Sequence, residues 1–167
     1  MKEDDTLTIL KKAILLEKRG KSFYSTAAEN SANDGVKRFF ELMAAEEDQH
    51  VEVLSKQYRQ FQKEKTFTSD EYSHEFNSDM AAEVLTEQVR QRISAAGFEA
   101  AAIAAAMAME ERAIELYAAG AAKADSPVKK ALFNWLAEWE REHLRILTAV
   151  DRELSEKVWY DNQFWPF

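Results

Sequence analysis

Shifting the sequence by 93 residues lays one half of it over the other without a gap. The matched pairs are Ala13 and Ala106, Glu17 and Glu110, Arg19 and Arg112, Tyr24 and Tyr117, Phe40 and Phe133, Ala44 and Ala137, Glu47 and Glu140, His50 and His143, and Leu54 and Leu147. Such a repeat is one supersecondary unit used twice, because a unit with a single apolar face needs a neighbour to cover it. The expected product has two-fold pseudosymmetry.

Within each copy, apolar residues recur at three- and four-residue steps, over about 6–30 and 34–62 in the first and about 96–123 and 127–154 in the second. That is the period of amphipathic helices. Four Gly and two Pro among 167 residues leave little material for turns, so long helices are expected. Asn30-Ser31-Ala32-Asn33-Asp34-Gly35 breaks the first pair of helices and Asp125-Ser126-Pro127 the second, with Ser126 as N-cap and Pro127 at the first helical position. Connections this short make each pair an antiparallel hairpin. The 33 residues from Lys63 to Ala95 open with the polar Thr66-Phe67-Thr68-Ser69-Asp70 and carry a shorter helical pattern near Asp79 to Ile93. They read as the long crossover that joins two hairpins into one all-α four-helix bundle. A chain of 167 residues is expected to form a single domain over its whole length.

The apolar stripes are interrupted by acids and imidazoles. The inward face of the second helix reads Val36, Phe40, Met43, Glu47, His50, Leu54, Tyr58, and that of the fourth reads Phe133, Leu136, Glu140, His143, Leu147, Val150. The first and third helices place Glu17 and Glu110 on the same kind of face. Glu17 and Glu47 are each 15 residues from position 32, and Glu110 and Glu140 are each 15 from Asp125. At the helical rise, all four lie about 22 Å from their turns. His50 and His143 follow one turn further along the same faces.

Four Glu and two His therefore converge on one level. An unpaired carboxylate on a buried face is costly, whereas two divalent cations cancel the charge of four Glu. Without cations some of these acids would hold protons, so metal binding is expected to release protons and to stabilise the fold. Oxygen donors with imidazole and no thiolate suit iron or manganese, with zinc as an opportunistic occupant. Two iron ions are the expected cofactor, since a pair of irons can supply two electrons.

On these residues the chain resembles the rubrerythrin branch of the ferritin-like di-iron carboxylate proteins, over about 6–62 and 96–154. Their ligand set is one Glu from each of two helices plus Glu-x-x-His from each of the other two. Their Glu followed seven residues later by Tyr stands here as Glu17 with Tyr24 and Glu110 with Tyr117. The resemblance implies a ferritin-like bundle in which Glu47 and Glu140 bridge the metals, Glu17 and Glu110 are terminal ligands, and His50 and His143 bind one metal each. It further implies that Tyr24 and Tyr117 hydrogen-bond near the site or relay protons, and that two ferrous ions pass two electrons to hydrogen peroxide or dioxygen.

The resemblance breaks at two points. Full rubrerythrins carry a rubredoxin-like iron–cysteine module, and this sequence has no Cys, so the electron donor is expected to be a separate molecule. Rubrerythrins also place an extra Glu three residues after the third-helix ligand, where Ala113 stands here. Ferrous oxidation for iron storage or detoxification therefore competes with peroxide or dioxygen reduction, and a non-catalytic helical interaction module is a third reading.

A net charge of −8 argues against nucleic acid or an anionic membrane surface as partner. No apolar run reaches the length of a membrane span, and Met1-Lys2-Glu3-Asp4-Asp5 lacks the pattern of a signal peptide, so a cytoplasmic location is expected. The small residues from Ala100 to Ala108, and the five aromatic residues after Val158, offer contacts for a homodimer or higher homo-oligomer; the aromatic tail could equally fold back on its own bundle. His74, among Glu71, Glu75 and Asp79, reads as part of a solvated loop. Glu46, Glu99, Glu111, Glu138 and Glu142 flank the inward stripes, mostly exposed, with room for one or two to orient a ligating His.

Overall fold

Both short breaks in the helical pattern are caps. Asn33 accepts hydrogen bonds on its side chain from the backbone N–H groups of Gly35 and Val36, at 3.0 and 3.4 Å. Ser126 Oγ accepts from Lys129 N at 3.3 Å, with Pro127 opening the helix behind it. A side-chain cap of this kind satisfies a donor that the first helical turn leaves free, worth about 1 kcal/mol.

A computed structural model describes residues 3–68, 84–94 and 97–162. Its helices are α1 (Glu3–Asn30), α2 (Asp34–Glu64), the short α3 (Glu87–Gln91), α4 (Phe98–Ala122) and α5 (Pro127–Asn162), with no strand among the described residues. The all-α architecture is the expected one: α1 packs along α2, α4 along α5, and the hairpins meet through α1 and α4. Of the helix expected near Asp79 to Ile93, residues 79–83 lie outside the described residues, Val84 is helical, and α3 follows the N-cap Thr86. His74 and its acidic neighbours lie outside the described residues.

Two bounds differ from the periodic pattern for identifiable reasons. Helix α5 does not stop near 154 but continues to Asn162; residues 155–162 contain neither Gly nor Pro, so nothing in them breaks a helix. Helix α2 ends at Lys65, whose φ of 58° places it in the left-handed conformation while its N–H bonds Phe61 O. The crossover then returns across the first turn. There a Cβ on Gly35 would stand 2.5 Å from Val89, so only glycine lets α3 lie this close.

The core has two apolar halves. One gathers Tyr24, Phe39, Phe40, Met43, Ile103, Ala106 and Leu147 near the first turn. The other gathers Leu10, Leu54, Tyr117, Leu132, Phe133 and Leu136 near the second. Each half centres on a repeat-related ring pair: Tyr24 stacks on Phe40 at 6.1 Å, and Tyr117 on Phe133 at 6.4 Å. Truncating a buried Phe of this kind to Ala costs about 3–5 kcal/mol. Because α1 and α2 bring their turn to one end while α4 and α5 bring theirs to the other, the halves are related by a two-fold axis across the bundle. At the second-turn end the buried Lys129 donates to Thr6 Oγ1 at 2.7 Å and pairs with Asp125 at 3.4 Å, tying α5 to the start of α1.

Candidate metal centre

Between the two apolar halves the bundle is polar. The six side chains expected to converge, Glu17 on α1, Glu47 and His50 on α2, Glu110 on α4, and Glu140 and His143 on α5, do come together there, none more than 3 % exposed. They arrive because each occupies an inward helical position, the four Glu at equal distances from their turns and the two His one helical turn further along.

The six form two overlapping sets. Glu17, Glu47, His50 and Glu140 can each turn one donor atom to within 4.8 Å of the others, and so can Glu47, Glu110, Glu140 and His143. Glu47 and Glu140 belong to both. His50 Nδ1 stands 2.9 Å from Glu140 Oε1, 3.1 Å from Glu17 Oε2 and 3.6 Å from Glu47 Oε2. His143 Nδ1 stands 3.2 Å from Glu140 Oε2 and 3.6 Å from Glu110 Oε1. The two imidazoles lie nearly parallel, 6.0 Å apart. Both rings thus present Nδ1 to the carboxylates and Nε2 to the outside of the cluster.

So many buried acids cannot all ionise without cations. Burial, followed by the neighbouring Glu140 and Glu47 carboxylates, pushes Glu17 well above the usual range. Burial and Glu140 push Glu110 up to about 8, against the pull of His143. Burial works against a charged imidazole, yet hydrogen bonds with Glu110 and Glu140 hold His143 up at about 10. Glu140 opposes burial with His50 and His143 on either side and stays well below its ordinary value. In the metal-free protein protons do the work of cations.

The donor chemistry fits a pair of metal ions. Four carboxylates and two imidazoles without thiolate suit hard or borderline divalent cations, and Glu17 Oε1 is buried with no hydrogen-bond partner. A pair of cations sharing Glu47 and Glu140 would satisfy this charge and these lone pairs together.

The two tyrosines part company. Tyr24 reaches across from α1 and donates its hydroxyl hydrogen bond to Glu110 Oε1 on α4. Tyr117, equally buried, has a hydroxyl with no hydrogen-bond partner. Around the carboxylates a recess of about 230 Å³ opens between α1 and α4, with Leu16 and Met109, Gly20 and Ala113, and Arg19 and Arg112 facing one another as repeat-related pairs. A Cβ on Gly20 would stand 3.1 Å from the Glu47 carboxyl group, so the glycine leaves that acid its room.

Two neighbours were not singled out by the repeat. Trp139 donates to His143 Nε2 at 3.2 Å, and its ring stands edge-on to His50 at 4.9 Å and to Trp135 at 5.0 Å. Its spacing of four residues before His143 on one helix was the available signal. Of the five flanking glutamates, Glu46 is the buried one, at 7 % exposure. Glu138 pairs with Arg141 and Glu142 with Arg145, each on its own helix surface, Glu111 is exposed, and Glu99 accepts from Ala32 N.

Among known proteins, neither the curated sequences nor the solved structures include a match to this chain. The family model described as Rubrerythrin matches residues 8–151, a span that contains all six converging side chains and most of both hairpins. A duplicated Glu and Glu-x-x-His pattern, folded so that two acids are shared between two sets of donors, and a family match over most of the sequence lead to one assignment: the chain belongs to the rubrerythrin family of ferritin-like proteins, with a buried di-metal site.

Proposed function

We propose that this protein is a non-haem di-iron oxidoreductase that reduces hydrogen peroxide or dioxygen with electrons from a separate donor. The observation that carries the reading is the membership of Glu47 and Glu140 in both donor sets. Two cations held through two common carboxylates lie close enough to act on one small molecule. In this reading Glu17 and His50 complete one position, and Glu110 and His143 the other.

When bound, a pair of ferrous ions supplies two electrons, so that peroxide, two electrons and two protons become two waters. The side chains provide the rest. Gly20 and Ala113 leave the recess open to the carboxylates beside Leu16 and Met109, with room for a molecule the size of peroxide or dioxygen. Tyr24 donates its hydroxyl hydrogen bond to Glu110 Oε1 and holds that carboxyl in place, and burial with the neighbouring carboxylates raises the phenol well above its ordinary range, so the proton stays on Tyr24. The 167 residues contain no Cys, so in this reading the electrons come from a separate carrier. Manganese or zinc would fit the same donors without supplying the same electrons.

A second reading has its own support. Ala113, buried beside the recess, stands where rubrerythrins carry an additional Glu. A site with one acid fewer holds its product less tightly, which favours ferrous ion as substrate and release of ferric ion. Anaerobic loading with ferrous ion, followed by peroxide and an external reductant, separates the two. Steady peroxide consumption at constant iron content is expected; a single burst of iron oxidation with ferric ion leaving the site would replace this reading with the second.

A further inference from the structure

The two repeat copies differ beside the shared acids. Glu46 precedes Glu47, and Trp139, not a second acid, precedes Glu140; both are buried, at 7 % and 5 % exposure. Glu46 Oε2 has no hydrogen-bond partner, and neither has His50 Nε2. The same region holds the outer edge of His143, whose Nε2 accepts the Trp139 N–H. Glu46 stands one helical turn before His50 on α2, as Trp139 does before His143 on α5, and burial raises the Glu46 carboxyl while His143, His50 and the Trp139 N–H work against that rise.

Both imidazoles present Nδ1 to the carboxylates, so a cation taken at Nδ1 displaces the proton there and leaves the ring's other proton on Nε2. His143 Nε2 is then only a donor, and it confronts the indole donor of Trp139. His50 Nε2 likewise becomes a buried donor, and an unsatisfied donor there costs about 1–3 kcal/mol. Both rings need an acceptor, and Trp139 has none to offer.

We infer that Glu46 is a positioning residue for both histidines: in the metal-loaded protein its carboxylate accepts Nε2–H from His143 and from His50 and keeps both Nδ1 atoms aimed inward. One carboxylate can serve two rings and the indole because it offers about four lone-pair sites. The broken repeat follows from the same accounting of charge. A second acid at position 139 would bury another anion with no cation left to balance it, whereas an indole closes the space and donates to the single acid. The inference rests on the di-metal reading and deepens it.

Zinc(II) chloride is a suitable probe, since it is diamagnetic and takes the same donors. In the zinc-loaded protein we expect two slowly exchanging imidazole N–H resonances that correlate with Nε2 of His50 and His143. Glu46→Gln should shift both resonances upfield and weaken zinc binding about tenfold, and Glu46→Ala should weaken it by about 10–100-fold. Trp139→Phe should retain both resonances and most of the affinity. Zinc affinity and both resonances unchanged in the two Glu46 variants would overturn the inference while leaving the metal site standing. Failure of the unaltered protein to bind zinc would overturn both. Glu46→Gln preserves size and shape, so the resonance shift remains readable if Glu46→Ala does not fold.

Discussion

Helices α1 and α4 keep one pattern inside and differ outside. Residues 11–20 and 104–113 run through the same order of buried, half-buried and exposed positions. The inward places hold Ala13, Glu17 and Gly20 in one and Ala106, Glu110 and Ala113 in the other. The outward places hold Lys11, Lys12, Leu15 and Lys18 in α1 but Ala104, Ala105, Ala108 and Glu111 in α4. Positions that face cations or apolar neighbours are fixed by chemistry, since an altered residue there leaves a charge or a void. Positions that face water tolerate lysine, alanine or glutamate almost equally, because an exposed substitution usually changes stability by less than about 0.5 kcal/mol.

The sharpest challenge to this equivalence lies at the shared acids. Glu47→Ala and Glu140→Ala should each abolish binding of the metal pair, taking content from about two ions per chain to one or none. Metal analysis after loading checks it. Loss in only one variant would mean that the hairpins contribute unequally and that one acid is not shared.

The pH dependence of the metal-free protein tests both hairpins at once. Glu110 keeps its proton up to about 8 in the fold, against an ordinary value of 4.5, and His143 up to about 10, against 6.5. Folding therefore takes up protons over those two windows, and stability falls as pH rises through them. In the presence of a chelator the thermal midpoint should drop by at least about 5 °C between about pH 5.5 and about pH 9. Metal affinity should climb over the same range, because cations displace those protons. A midpoint that stayed level or rose would show that the site carries no excess protons.

The tyrosines sharpen the comparison at smaller scale. Tyr24→Phe leaves Glu110 Oε1 without its donor and should destabilise the metal-free protein by about 1–3 kcal/mol. Tyr117→Phe removes a hydroxyl that has no partner and should be neutral or slightly stabilising. Urea unfolding of the two variants decides this; equal costs would restore the symmetry that the hydrogen bonds break.

The two glycines should show the least effect and opposite signs. Each replacement by Ala gains about 0.8–1 kcal/mol of helix propensity. At Gly20 the new Cβ would press on the Glu47 carboxyl group at 3.1 Å, a side-chain end that can yield by a few tenths of an ångström. Gly20→Ala should therefore raise metal-free stability by up to about 1 kcal/mol while weakening metal binding. At Gly120 the Cβ would meet the Phe133 ring at 3.1 Å, and that ring is held against Tyr117. Gly120→Ala should lower stability by about 1 kcal/mol. Parallel changes in the same direction would mean that the packing around one of them differs from that described.

Much of this was legible in the sequence, and the limits have physical causes. Equal distances of Glu17, Glu47, Glu110 and Glu140 from their turns were enough to put them at one level, because helical rise is constant. The position of Glu46 was not legible. It sits at the margin of the inward stripe, where a small rotation of α2 decides between solvent and core. Trp139 could be placed on the same face as His143 by spacing, but spacing does not fix the rotamer that aims its N–H at Nε2. The reach of α5 to Asn162 was missed because the apolar three- and four-residue pattern was followed only to about 154, although 155–162 contain neither Gly nor Pro to break a helix. The crossover depends on contacts distant in sequence, such as Gly35 with Val89, and no local pattern announces them.

The polar layer between the apolar halves has a mechanical consequence. Each hairpin is knit along its own length, whereas the midsection between them is occupied by acids that repel one another once their protons leave. A bound cation pair acts there like a rivet through two plates, drawing ligands from all four long helices to one point. Filling the centre should therefore stiffen the whole bundle, out of proportion to the six side chains it touches.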